Sequence, residues 1–488
     1  MIIRPVSMRL DEFLRSAATA ALLSASLAFA GTASAETLNQ ALSAAYTYNP
    51  RLDAERARLR ATDESVPQAR SGYRPFIEAN ADIGFEDNRV RLDDNQGRIG
   101  SQTVPRGYDI SLQQNLFNGF RTTNQVNQAE ANVRAGRENL RQIEGEVLLD
   151  AVTAYMDVVR DQAIVALQDN NVNVLSRELA ATKDRFDVGE VTRTDVAQSE
   201  ARRAGAVSAL DQARANLKSS RAEYERVIGA PPSNLREPPV PTRLLPKSLE
   251  AATAIALNES PLIINALYLE KSASYNVDTI RGELLPTVTL QATYQDRFEP
   301  SSGIAESETA LVTGRVRVPI YQGGEVEARV RAAKHTHVSI LQTIEDVRTQ
   351  VRANTVTAWS QYQAAVAQIE SDKAQVAANQ TALAGVREEE KVGQRTLLDV
   401  LNAEQELLNA QVQLETSRRN MIVAAYALLL SIGRLDAATL NITQTVYDPE
   451  EHYHEVRRKW WGIAITHANG RSEHLELWES HGRHHAYK

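Results

Sequence analysis

The sequence predicts an α+β membrane protein. It consists of duplicated long antiparallel helical hairpins, packed as an α-barrel coiled coil. Four transmembrane β-strands per chain contribute to one barrel shared within an oligomer. Three observations carry this. The phrase V-G-x-x-T-x-x-D-V occurs twice, in "DVGEVTRTDV" from Asp187 and in "KVGQRTLLDV" from Lys391, about 204 residues apart. Two pairs of short segments alternate apolar and polar residues. Between them run long proline-free, alanine-rich stretches with apolar residues at three- and four-residue steps.

A chain of 488 residues is too long for one ordinary core. The net charge of -8, with both signs mixed along the chain, gives no reason to expect nucleic-acid binding. Aromatics make up only 6%, low for an enzyme of this size. There is no cysteine, which excludes disulfides, thiolate metal sites and cysteine nucleophiles.

Residues 1–35 read as a cleaved signal peptide. Arg4, Arg9 and Arg15 precede an apolar run from Ala17 to Ala30, and Ala33-Ser34-Ala35 offers a small-x-small cleavage site. A membrane anchor is the alternative, but the run is shorter than the ~20 residues of a span. No later segment holds ~18 consecutive apolar residues.

Residues 36–230 form a first repeat and 247–434 a second, joined by a proline-rich linker over 231–246. "LNQALSAAYTYNPRL" from Leu38 echoes "LEAATAIALNESPLI" from Leu249, with Pro50 matching Pro261. Pro75 matches Pro286 at an offset of about 211 residues, whereas "NLFNGF" from Asn115 matches "PIYQGG" from Pro319 at about 204. The second copy is therefore about seven residues shorter between these points, where a loop absorbs the difference.

The first β-hairpin is placed at about 75–115. Ile77, Ala79, Ala81, Ile83 and Phe85 alternate with Glu78, Asn80 and Asp82, and Tyr108, Ile110 and Leu112 alternate with Asp109, Ser111 and Gln113. The polar stretch between these strands reads as an exposed loop. The second hairpin, at about 286–320, repeats the pattern with Val288, Leu290, Ala292 and Tyr294, then Val312, Val316 and Val318. Surface hairpins on a soluble core are the alternative. Against that, each strand reads as about nine residues, enough to cross a bilayer when tilted. Four strands cannot close a barrel, and lipid forbids open edges, so membrane-spanning strands require an oligomer.

Helices are expected from about Arg121 to Arg185 and from Thr192 to Ile228, then from Val326 to Glu390 and from Thr396 to Ile432. At ~1.5 Å per residue the longest run on the order of 100 Å. The repeated phrase falls at the turn of each hairpin. Gly189 and Gly393 suit the position after a helix, where positive φ is needed. Thr192 and Thr396 suit N-caps, with Asp195 and Asp399 three residues on.

In layout, and in "RFDVGEVTRTDV", "PIYQGGEV" and "KVGQRTLLDVLNAE", the chain resembles the TolC family of outer-membrane efflux and type I secretion channels, over nearly all of 36–434. The resemblance implies a homotrimer with a shared 12-stranded barrel in outer-membrane lipid and a helical tunnel in the periplasm. It implies a periplasmic adaptor and an inner-membrane RND or ABC transporter as partners, and no cofactor. It places a periplasmic gate at Thr194, Asp195, Glu390, Arg395, Asp399 and Asn402. Arg395 would bond the Thr194 and Asp195 side of a neighbouring tip, and Asp399 would line an acidic ring. Adaptor contacts fall on the tips at Val188, Gly189, Thr192, Val392, Gly393 and Thr396.

Two positions depart from the family pattern. Glu390 stands in place of a gate tyrosine, either paired with Arg395 or Arg193 or solvated in "REEEK". Asn402 stands in place of a second acidic ring. Which substrate is exported stays open, as does the choice of pump. The alternative function is a periplasmic coiled-coil adaptor or structural protein. It predicts one hairpin rather than two copies, each with its own strands. No G-x-S-x-G, H-E-x-x-H or P-loop pattern supports an enzyme.

The C-terminal periplasmic tail, 435–488, holds seven of nine histidines and three of four tryptophans. It reads as an extension on the tunnel exterior. His452 and His454, or His484 and His485, are the alternative as a metal-ligand pair, without cysteine or helical histidine spacing to support it.

Overall fold

The computed structural model describes residues 36–91, 98–443, 445–466 and 472–473. The expected signal peptide, His484 and His485 lie outside them. The element order runs twice through one plan. The first pass has helices α1 (Leu38–Tyr48), α2 (Pro50–Asp63) and α3 (Ser65–Arg70), a 3₁₀ turn, and strands β1 (Phe76–Ile83), β2 (Glu86–Arg91), β3 (Arg98–Thr103) and β4 (Arg106–Asn118). Helices α4 (Arg121–Asp187) and α5 (Arg193–Ile228) close it. The second pass has α6 (Leu249–Glu259), α7 (Pro261–Arg281), a 3₁₀ turn, β5 (Thr287–Ser301), β6 (Ile304–Arg317), α8 (Glu325–Lys391) and α9 (Leu397–Ser431). Short elements follow: α10 (Ala437–Leu440), α11 (Glu451–Val456), and β7 (Ile465–Thr466) paired with β8 (Ser472–Glu473).

The backbone repeats as closely as the sequence. Pro50 opens α2 behind the Asn49 cap, and Pro261 opens α7 behind Ser260; proline costs nothing there, because the first helical N–H has no partner to lose. Left-handed residues recur in matched places: Gly119 and Phe120 before α4, Gly323 and Gly324 before α8.

By contact density the chain divides into two units. The first comprises 1–47, 150–240 and 365–423. Its described part is all helix and connecting chain. Here Tyr155 and Tyr224 are fully buried, with ring centroids 6.4 Å apart. Tyr224 Oη donates to a Glu36 carboxylate oxygen at 2.7 Å, and Tyr155 Oη donates to the Arg236 carbonyl at 2.7 Å. Burial pushes both phenols up, so they stay neutral donors at ordinary pH.

The second unit comprises 48–149, 241–364 and 424–488 and contains every strand. One antiparallel sheet has the order β1-β4-β5-β6, so the two repeats meet at β4 and β5. The register keeps the faces apart. Ala79, Ile110, Tyr294 and Ala310 lie opposite one another across the four strands, and the neighbouring row is Asn80, Asp109, Gln295 and Thr309. Directly paired residues share a face, so the alternation in the sequence becomes an apolar face and a polar face. On the polar face Asn80 donates to Asp109 at 3.2 Å, and Arg297 reaches across Gly107 to Asp82 at 2.7 Å.

Two expectations change. The strands β4, β5 and β6 have 13, 15 and 14 residues, well beyond nine. The sequence alternation undercounted them because Asp296, Glu306 and Glu308 stand in the apolar row and interrupt the period while the pairing continues. The segment read as a plain loop contains the two-stranded ribbon β2–β3, with Glu86 opposite Thr103. In the second repeat β5 turns directly into β6 at Gly303, which accounts for the missing residues.

Gly119 and Gly282 cross where strands give way to helices. A Cβ on either would collide with the carbonyl oxygen of the other. Neither backbone can retreat without moving a strand end. Gly282→Ala should therefore lower stability by about 1–3 kcal/mol, seen as a drop in the thermal midpoint of the purified protein; an unchanged midpoint would show that the crossing is loose.

Glu144 in α4 is partly buried in the second unit and accepts from the Ala437 backbone N–H at 2.7 Å. Burial pushes its carboxyl up to about 7 against the hydrogen bond from Ala437. Between its unfolded pKa near 4.5 and about 7, the folded state holds a proton that the unfolded state has lost. This contribution to stability is present at low pH and disappears as pH rises through 7. Glu144→Gln keeps the acceptor and removes the charge. It should stabilise the protein at pH 8 by up to about 3 kcal/mol and leave it nearly unchanged at pH 4, as measured by thermal unfolding at the two pH values.

Candidate functional site at the hairpin tips

Each long helix pair in the first unit ends in a tip, and the two tips are built alike. Gly189 has φ +81° and Gly393 φ +79°. In the first tip the Gly189 N–H donates to the Phe186 carbonyl at 2.9 Å and the Glu190 N–H to the Arg185 carbonyl at 2.9 Å. In the second, Gly393 donates to Glu390 at 2.9 Å and Gln394 to Glu389 at 2.8 Å. This double closure satisfies carbonyls that the helix end leaves open, and it requires the left-handed residue that glycine supplies.

The return helices start on capping boxes. Thr192 Oγ1 accepts from the Asp195 N–H at 3.3 Å, while Asp195 Oδ2 accepts from the Thr192 N–H at 2.8 Å. Thr396 and Asp399 repeat this at 3.2 and 3.0 Å. The bonds from the Thr396 backbone and hydroxyl hold the Asp399 carboxyl below the usual carboxylate range, with Arg395 adding to the effect. Val188 and Val392, next to the two glycines, are each 72% exposed. A bare valine is thus presented once per tip.

A pair of ion bridges repeats one helical stretch back. Lys183 meets Glu200 at 2.8 Å across the first hairpin, and Arg387 pairs with Glu404 at the equivalent places in the second. Between the hairpins, Leu397 and Leu401 pack on Leu175 and Ala206. Arg185 crosses to Glu390 at 2.8 Å, and Arg202 donates to Asn402 at 2.6 Å.

The expected site residues therefore fall into three groups. Thr192, Asp195, Thr396 and Asp399 are engaged within their own tips. Glu390 and Asn402 bind the other hairpin of the same chain. Thr194 and Arg395 are exposed, and Arg395 pairs with Glu389 in its own tip at 2.9 Å. The Glu390 expectation is corrected: its partner is Arg185, neither Arg395 nor Arg193. Arg185 and Glu389 were missed. Their signal was available in the duplication itself, because Arg185 and Glu389 occupy equivalent positions with opposite charge. Among the described residues no group of three or more His, Asp or Glu side chains is arranged to hold a metal. His452, one of the tail histidines, instead meets Asp63 at 3.0 Å.

Two stretches of the chain, residues 39–230 and 253–434, match the family described as "Outer membrane efflux protein". The chain belongs to the outer membrane efflux protein family. It is 40% identical over 448 residues to the outer membrane efflux protein BepC of Brucella suis, covering 91% of this chain and 96% of that one. It is 24% identical over 428 residues to the outer membrane protein TolC of Escherichia coli, covering 84% and 85%. In fold it resembles the Campylobacter jejuni CmeC outer membrane channel at a TM-score of 0.72 and 16% identity, over 86% of this chain and 89% of that one. Membership in this family places the protein at the outer membrane and among channel proteins, as the tip motifs implied. Among the described residues no helix is long and apolar enough to cross a membrane.

The Arg185–Glu390 bridge is half-exposed at its arginine end, so it contributes at most about 1 kcal/mol. Arg185→Ala should raise amide hydrogen exchange at residues 389–396 by up to about fivefold. The exchange Arg185→Glu with Glu390→Arg should restore protection. Equal protection in all three proteins would mean that the bridge holds nothing.

Proposed function

We propose that three copies of this chain form an outer-membrane channel-tunnel that exports drugs or proteins delivered by a periplasmic adaptor and an inner-membrane RND or ABC transporter. The observation that carries this reading is the sheet. It has one apolar and one polar face, it exposes residues such as Ile77, Val312 and Val316, and among the described residues both its outer strands, β1 and β6, have a free edge. A sheet wet on both sides would leave the apolar face uncovered. A sheet in lipid must have no edge. Joining β6 of one copy to β1 of the next meets both demands, and three four-stranded sheets make a 12-stranded barrel. Its apolar face then meets lipid, and the row of Asn80, Asp109 and Gln295 lines the lumen.

The long helices extend this barrel into the periplasm as a tunnel, and the tips form its entrance. In this assembly the tip residues act as follows. Asp399, with its carboxyl held ionised, is repeated three times around the axis and favours cations. Arg395, free to leave Glu389, links to Thr194 and Asp195 of a neighbouring tip and holds the entrance closed. Glu390 contributes through Arg185. Val188 and Val392, each beside a glycine without a side chain, give the adaptor a small apolar contact. The chain carries no nucleotide-binding motif, and the energy for opening comes from the partner. Residues 1–35 direct the chain out of the cytoplasm and are then cleaved, which leaves Glu36 held by Tyr224.

Planar-bilayer recording of the purified protein, with its mass in detergent, tests the assembly. Trimers that insert from one side and pass small currents are expected. A protein that stays monomeric and never conducts would overturn the reading. Arg395→Ala and Asp195→Ala should both raise conductance. Thr192→Ala removes a cap but no charge and should leave conductance near wild type. If Thr192→Ala opens the channel equally, the helix cap and not the ionic link is what closes it.

A further inference from the structure

The tail beyond the second repeat climbs the second unit in one direction. His452 meets Asp63 at the end of α2. Tyr453 packs on the apolar cluster that Val66 of α3 forms with Ala129 and Val133 of α4. Arg457 bonds Glu130 at 2.9 Å. Trp460 then lies under the Arg74 guanidinium, 4.8 Å from its ring centroid, and its carbonyl accepts from Arg74 at 3.5 Å. Arg74 is two residues before Phe76, where β1 begins. The tail therefore delivers its tryptophans to the foot of the sheet.

What it delivers has no core to enter. Trp460 is 69% exposed and Trp461 91%, and Ile463 and Ile465 are more than half exposed. Arg458 is exposed between them and α11. Lys459 donates to the Ala464 carbonyl at 3.0 Å, which folds the segment back so that its apolar side chains and its cations share one short loop. Ile77, on the apolar face at the start of β1, and Phe76, on the opposite face, are also bare, so the tryptophans lie near exposed apolar residues at the helix-side end of the sheet. Tryptophan has a flat apolar body and one N–H donor, and it concentrates where hydrocarbon meets headgroups. Neighbouring Lys and Arg are attracted to anionic lipid headgroups.

We propose that residues 457–465 dock on the periplasmic leaflet of the outer membrane. Trp460 and Trp461 lie in the headgroup layer, and Arg458 and Lys459 face anionic phospholipid. The segment then acts as a collar that fixes how deep the sheet sits. This rests on the reading of the sheet as membrane-spanning.

The full-length protein with Trp359→Phe and Trp478→Phe keeps only these two tryptophans. It is reconstituted in vesicles of phosphatidylethanolamine and phosphatidylglycerol carrying lipids brominated near the headgroup or deep in the chain, and conductance is recorded on the same preparation. Strong quenching by the shallow bromines, weaker quenching by the deep ones and poor access to acrylamide are expected. Arg458→Gln and Lys459→Gln should each shift the docked-to-free ratio by roughly fivefold in these vesicles, and should do little in vesicles of phosphatidylcholine alone. A conducting protein whose tryptophans are quenched by acrylamide and untouched by bromine overturns the collar and leaves the channel standing. A conducting protein whose tryptophans are shielded from both seats them on a second copy of the chain, which also overturns it. A protein that never inserts overturns both readings together.

Discussion

The backbone of β1 and β6 sets the terms for everything else. Among the described residues each outer strand has one side paired and one side open, and the sheet between them buries neither face against a core. In water such a sheet would expose its apolar ladder, and in lipid it would expose unpaired N–H and C=O groups at several kcal/mol each. Duplication answers half of this demand. By pairing β4 of the first repeat with β5 of the second, it doubles the sheet without adding an edge. The other half is met only by another chain, and this is why the proposed assembly is closed rather than merely associated.

Duplication also shapes the tips, where identical copies would not suffice. Two identical hairpins side by side would set like charge against like. The chain keeps the backbone of the tip constant through Gly189 and Gly393 and through the caps at Thr192 and Thr396. It changes the charges: Arg185 corresponds to Glu389, and Asp187 to Lys391. Opposite signs at equivalent positions let one hairpin recognise the other, as Arg185 does with Glu390. The internal bridge is retained in both copies, but it is not equal. Lys183 and Glu200 are both half-exposed, whereas Glu404 is almost fully buried beneath Arg387. A buried carboxylate costs more to leave unpaired, so the second hairpin is the more firmly closed below its tip.

Much of this was legible in the sequence because it rests on local rules. The caps follow from Thr and Asp at a spacing of three, the left-handed turns from glycine, and the two sheet faces from a period of two. The helix ends fell within about two residues of expectation for the same reason. What was missed is non-local. The ribbon β2–β3 pairs polar residues such as Asp87 with Gln102 and Asn88 with Ser101, and it carries no apolar alternation to announce it. Its register continues that of β1 and β4, through the bond from the Gly84 N–H to the Pro105 carbonyl at 2.8 Å. Arg185 and Glu389 were passed over because single charges in charged stretches are usually solvated. Only the folded contact, or a comparison of the two repeats position by position, separates them from their neighbours. The tail gave its composition but not its course. Nothing local in "YDPEEHYHEV" says that Tyr453 will pack on the cluster of Val66, Ala129 and Val133.

An entrance that must open has to be held by interactions that are easily exchanged. The tips satisfy this by dividing the work between two kinds of contact. The caps and glycine closures lie within each tip and survive any rigid movement of it. The polar contacts between the hairpins are one ion pair, Arg185–Glu390, and one Arg202–Asn402 hydrogen bond, each worth on the order of 1 kcal/mol in water. Beside them, Leu397 and Leu401 against Leu175 and Ala206 form a small apolar contact that resists separation. Parting only the polar contacts exchanges them for water and costs little. Parting the leucines as well exposes apolar surface and costs several times more. A partner that offers charges to Arg395, Glu389 or Glu390 competes with bonds of the same modest strength. In the proposed assembly it can therefore shift the entrance without unfolding anything beneath it.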